Sequence, residues 1–203
     1  KNQGYEMRWF TPTVEVDLIV TRDGSRLTLD FPGRAVESCE PTAELLANFE
    51  VKPKEVLHSG TGTYIVVLES EEQVRNYIPD FQKLSRVDRC VNITALGKNC
   101  DFVSRFFGPN IGLPEDSVTG SAHCGLAIYW SKCLERPDEL HAIQLSSRTG
   151  EIYCRVVGDR VLLSGFVVQY MQGRITIRRW QNTIWSSLMR VILLFERFIM
   201  MMQ

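Results

Sequence analysis

Asp116 and Ser121 lie in the run Glu115-Asp116-Ser117-Val118-Thr119-Gly120-Ser121-Ala122-His123, a carboxylate and a hydroxyl flanking a short polar stretch that holds a glycine. A side-chain carboxylate beside a reacting carbon can take or return a proton. The residues that follow, from Ala122 through Cys124, Leu126, Ile128, Trp130 and Leu134, are apolar on almost every side, which predicts a buried helix over about 121–134. A loop feeding the start of such a helix presents unpaired backbone N–H groups and the positive end of the helix dipole to an anion. Thr119, Gly120, Ser121 and Ala122 would then hold a ligand carboxylate, with Asp116 as the proton carrier. The same residues allow a purely structural reading, in which Ser121 caps the helix and Asp116 is a solvated loop acid.

Other residues with chemical potential are weaker candidates. His123 and Cys124 fall inside the helical run and read as a hydrogen-bonded core histidine and a buried structural thiol, rather than as a base and a nucleophile. The run 59–63 is glycine-rich, but lacks the Gly-Lys-Ser/Thr ending of a phosphate loop. His58 and His141 stand alone, without metal-ligand spacing. The six cysteines form no C-x-x-C pair and show no metal-ligand spacing, so reduced thiols in a cytoplasmic protein are expected. Asn92-Ile93-Thr94 fits a glycosylation sequon and reads as chance. Lys plus Arg total 23 against 24 Asp plus Glu, a balance that argues against nucleic acid as a partner.

The elements that must position this turn are mostly short strands. Val14, Val16 and Leu18 alternate with Glu15 and Asp17, Asp23-Gly24 marks a hairpin turn, and Arg26 to Phe31 returns. Thr42 caps a short helix over Ala43 to Phe49. Tyr64 to Glu69 reads as a strand, Ser70 to Tyr77 as a helix, and Phe81 to Leu84 as a helical turn. Val91 to Ala95 and Asp101 to Phe107 are strands leading into the acidic run. Beyond the buried helix, strands are expected at 142–146, 152–157, 161–165, 167–170 and 175–177. Many strands around few helices define an α+β fold with a barrel-like sheet.

A weak internal repeat is visible. Arg8-Trp9-Phe10-Thr11-Pro12 is echoed by Arg105-Phe106-Phe107-Gly108-Pro109, and the hairpin at Asp23-Gly24 by the one at Gly158-Asp159. Between these markers the second copy carries the polar turn and the buried helix. The first copy passes from Leu18 to Ile19 without either.

The second of these motifs, together with 115–123 and Tyr129-Trp130, resembles the signature of the phenazine-biosynthesis (PhzF-like) isomerase family, and Arg8 to Pro12 with Glu15, Val16 and Leu18 resembles its first-half motif. The resemblance implies a diaminopimelate-epimerase-like fold, in which two pseudo-symmetric β-barrel halves each surround a central helix and the active site lies between them. It implies cofactor-independent proton transfer on a small carboxylate-bearing metabolite, by allylic shift or epimerisation, and often a homodimer. The family's active-site aspartate and serine fall on Asp116 and Ser121, with Gly120 supplying backbone contact. The family's Ser-Glu-Thr motif and first-half Cys-Gly-His turn have no match here, and Ser117 replaces the usual proline. A shortened, internally deleted member is therefore expected, with residues 1–33 and 152–177 as the remnant of the first half and 34–151 as the second. Two functions remain open: an isomerase, or a catalytically degenerate relative that serves as a binding protein. The apolar tail, 178–203, carries Arg190, Glu196 and Arg197 and is expected as an amphipathic helix against the domain, a partner or a membrane surface.

Overall fold

The computed structural model describes residues 5–10, 15–60, 62–136 and 138–168, with side chains from residue 19 onward. The expected strands beyond 168 and the apolar tail lie outside the described residues. Within them the chain forms twelve strands, four α-helices and a 3-10 turn at Pro109–Ile111. The strands are β1 (Tyr5–Phe10), β2 (Glu15–Asp23), β3 (Arg26–Pro32), β4 (Val36–Ser38), β5 (Glu55–Ser59), β6 (Thr63–Val67), β7 (Cys90–Leu96), β8 (Phe102–Gly108), β9 (Leu113–Asp116), β10 (Leu140–Gln144), β11 (Gly150–Val157) and β12 (Arg160–Phe166). The helices are α1 (Ala43–Leu46), α2 (Glu71–Asn76), α3 (Phe81–Leu84) and α4 (Gly120–Cys133).

All strands join one sheet in the order β1-β2-β3-β12-β11-β10-β8-β7-β6-β5-β4, with β9 added on β8. Most neighbours are antiparallel. The β6–β7 and β8–β10 pairs are parallel, the first bridged by α2 and α3, the second by β9 and α4. The sheet curls around α4, which touches β11 and β12 on one side and β4 on the other. The backbone N–H of Gly33, just after β3, donates to the carbonyl of Asp159 in the β11–β12 turn at 2.7 Å and extends the β3–β12 ladder.

Two apolar layers fill the structure. Leu57, Ile65, Val67, Phe102, Leu140, Ala142, Ile152, Cys154, Val161 and Leu163 face α4, and meet Leu126, Ala127 and Trp130 from the helix. Tyr64, Val66, Val91, Ile93, Val103 and Phe107 face the other way, under Leu45, Val74 and Leu84 of the small helices. Because β6 is covered on both faces, every residue from Thr63 to Val67 is buried. Such a strand reads as a continuous apolar run rather than an alternating one.

β11 and β12 pack directly on α4, and β12 also pairs with β3. The expected boundary at 151/152 therefore falls within a continuous strand. β4 has too few residues for alternation to announce it in the sequence. The strand expected at Val167–Tyr170 does not begin where anticipated: β12 stops at Phe166, and Val167 N–H donates to the Ser25 carbonyl at 2.8 Å.

The internal repeat has a structural counterpart. β1 turns back into β2 as β8 turns back into β9. The two matched hairpins each turn on a glycine in the left-handed region, Gly24 at φ 59° and Gly158 at φ 60°, where a side chain would be strained. β9 ends at Asp116 and releases the chain into α4, whereas β2 runs unbroken through Leu18 and Ile19 to Asp23. It pairs with β1 over its first part and with β3 over its last.

Candidate active site at the start of the central helix

The acidic pair does not sit in a loop, as the sequence suggested, but closes β9. Adjacent strand residues point to opposite faces, and here the two carboxylates separate accordingly. Glu115 meets Arg105 in a two-pronged pair, Nε to Oε1 at 2.8 Å and Nη2 to Oε2 at 3.1 Å. The remaining guanidinium nitrogen donates to the carbonyls of Val74 and Tyr77, at 3.3 and 2.6 Å. Arg105 thus ties β9 to the end of α2, where exposed carbonyls favour a cation. Asp116 stands directly across from Phe106 of β8, and residues so paired share a face.

From Asp116 the chain makes a tight corner into α4. Thr119 is the N-cap, in extended backbone with φ −109° and ψ 91°. Ser121 is therefore not the cap; it lies inside the first turn, half-buried, and its hydroxyl makes no hydrogen bond among the described residues. The corner moved because Thr119 is held on both sides. Its N–H donates to Gln144 Oε1 at 2.8 Å, and its carbonyl accepts from His123 Nδ1 at 2.8 Å. The Thr119 hydroxyl makes no capping bond to the helix; it donates to Asp116 Oδ2 at 2.7 Å. The N–H groups of Gly120, Ser121 and Ala122 have no side-chain cap, and the first turn of any α-helix lacks intrahelical partners for them.

The helix is buried as expected, with every residue from Ala122 to Ala127 enclosed. His123 is fully buried. The Thr119 carbonyl can only accept, so Nδ1 carries the proton and Nε2 faces the Ser104 hydroxyl at 3.5 Å. Burial lowers its pKa to about 4 and keeps it neutral. It is a structural histidine. Burial pushes the Cys124 thiol up to about 11, away from the thiolate a nucleophile needs. All six cysteines are free. Among the described residues, no group of three or more metal-ligating side chains comes together, and no helix is long and apolar enough to cross a membrane.

Gln144 and Ser146 were missed by sequence reasoning. Gln144 is wholly buried and bonds to Asp116 and Thr119, and Ser146 Oγ donates to the Ser117 carbonyl at 2.8 Å. Alternation held the signal for the first: Leu140, Ala142 and Gln144 share a face, so an amide stands at a core position. Ser59 is the buried last residue of β5, and the exposed Gly60 and Gly62 lie in the connection from β5 to its antiparallel partner β6.

A curled sheet around one buried helix is the architecture of epimerase-like folds. A predicted epimerase from Pseudomonas aeruginosa superposes with a TM-score of 0.56 over 82% of this chain and 64% of its own, at 19% identity, a likeness of fold alone. Residues 28–173 match the PhzC-PhzF family, described as phenazine biosynthesis-like protein. A PhzC/PhzF protein from Clostridium difficile is 36% identical, with a TM-score of 0.72, over 85% of this chain and 65% of its own. An uncharacterized isomerase from Pseudomonas aeruginosa is 39% identical over 87% of this chain and 80% of its own length. The chain belongs to the phenazine biosynthesis-like family and is an isomerase-type member of it. The alignment to the Pseudomonas isomerase runs over 210 positions, more than the 87% of 203 residues it draws from this chain. Within the matched span, that relative carries residues this chain lacks.

Proposed function

We propose that this protein isomerises a small carboxylic acid by moving a proton on one face of the substrate, with Asp116 as the carrier. The substrate carboxylate lies against the N–H groups of Gly120, Ser121 and Ala122, within reach of the Ser121 hydroxyl. The observation that carries this reading is the bond between Asp116 Oδ2 and the hydroxyl of Thr119, the helix N-cap. It supports the reading because it holds the Asp116 carboxylate against the residue that opens α4.

One base, Asp116, serves the reaction. Glu115 is committed to Arg105 on the opposite face, and His123 is neutral with both ring nitrogens engaged. Epimerisation needs groups on two sides of a carbon, one to remove a proton and one to supply it. An allylic shift needs one. Asp116 takes the proton from the carbon next to the carboxylate as that C–H bond breaks, the double bond moves one position, and the Asp116 carboxyl, after exchanging its proton with solvent, delivers one to the far carbon. Atoms and electrons balance with no added reactant.

The test uses two β,γ-unsaturated probes, vinylglycine and 2-hydroxy-3-butenoate, in D2O. The expected result is a shifted double bond with deuterium at the γ-carbon. Deuterium confined to the α-carbon with inverted configuration would replace the shift by epimerisation, and no incorporation into either probe would remove the proposed chemistry.

A further inference from the structure

We infer that Gln144 is a positioning residue that selects which oxygen of Asp116 carries the proton; this rests on Asp116 as the carrier. The amide has a single orientation that fits its surroundings. Thr119 N–H must donate, so the amide oxygen faces it, at 2.8 Å. The Asp116 main-chain carbonyl must accept, so the amide nitrogen faces that, also at 2.8 Å. The second amide hydrogen points to Thr119 Oγ1, at 3.3 Å.

The consequence propagates. Since Thr119 Oγ1 accepts from Gln144, its own hydrogen is directed to Asp116 Oδ2. That oxygen is occupied by a donor. Asp116 Oδ1 makes no hydrogen bond among the described residues, so it is the oxygen left to receive and return a proton. Gln144 is wholly buried at the end of β10. It acts through Thr119, with one amide fixing the N-cap, the hydroxyl and the end of β9 together. Buried polar networks of this kind specify one geometry when every member is satisfied.

Two variants of the full chain test this. Gln144→Met keeps the shape and removes all three bonds. Gln144→Glu keeps an acceptor for Thr119 N–H but, when ionised, cannot donate. The first measurement is amide exchange by NMR. Thr119 N–H should exchange at least about 10-fold faster in Gln144→Met, while Leu126 and Ala127 at the centre of α4 are unchanged. The second is the rate of the allylic shift. In Gln144→Met, kcat should fall about 10- to 100-fold with KM within about 3-fold, as misplacing a catalytic group does. Gln144→Glu should regain kcat as the pH is lowered and its new carboxyl takes a proton it can donate; Gln144→Met should not. Unchanged Thr119 exchange, or unchanged kcat in Gln144→Met, would overturn the inference. Should the unmodified protein shift neither probe, Asp116 as carrier falls and takes the oxygen-selecting role with it, while the exchange measurement separately decides whether Gln144 anchors Thr119.

Discussion

Arg105 holds Glu115 by both prongs of its guanidinium while Asp116, the next residue, turns to the opposite face of the strand. The ion pair fixes the plane of β9 and so aims the neighbouring carboxylate at the start of α4. Both partners are largely removed from water, with side chains 10% and 19% exposed.

Arg105→Met should therefore destabilise the fold by about 3 kcal/mol, because Glu115 and the carbonyls of Val74 and Tyr77 lose their donor together. Urea denaturation measures the loss. A change below about 0.5 kcal/mol would mean the pair is a surface ornament.

The helix approaches β5 closely at Gly125. A Cβ there would stand 2.2 Å from Ser59 Oγ and 2.9 Å from Ser59 Cβ. Glycine in a helix interior costs about 1 kcal/mol relative to alanine, and here contact geometry requires it. Gly125→Ala should destabilise by about 1–3 kcal/mol. Adding Ser59→Gly removes both clashing atoms, and the double variant should recover most of the loss. Simple additivity of the two substitutions would contradict direct contact.

His123 supplies a pH dependence with a defined sign. Its folded pKa, about 4, lies below the ordinary value of about 6.5, so the unfolded chain binds the proton more readily. The stability it contributes is complete above pH of about 6.5, is lost as the pH falls toward about 4, and amounts to something on the order of 3 kcal/mol. His123→Gln should flatten this part of the stability–pH curve, read by urea denaturation between those limits. An equal slope in both proteins would place the acid sensitivity elsewhere.

Much of the architecture was legible because the strands obey simple periods. The hairpin at Asp23-Gly24, the runs around Val66, Ile93 and Phe106, and the buried helix all appear where their patterns place them, the helix within one residue at each end. The helix N-terminus was less legible, since a cap is decided by tertiary partners. Ser121 and Thr119 are both competent caps, and the bonds from Gln144 and His123 select Thr119. Gln144 lies remote from Asp116 in sequence, and only the parallel pairing of β10 with β8 brings it alongside. The continuous course of β2 was foreshadowed by the repeat, because the first copy has no helix-forming residues between its two markers.

The most direct test of the account is deuterium transfer by Asp116→Asn beside the unmodified protein, with vinylglycine and 2-hydroxy-3-butenoate in D2O. An asparagine can still accept from the Thr119 hydroxyl, so the corner and α4 should persist, checked by the amide spectrum of the helix. The predicted result is γ-deuteration by the unmodified protein and a loss of at least about 100-fold in Asp116→Asn, the scale of a removed acid–base group. Equal deuteration by both proteins would show that another group moves the proton.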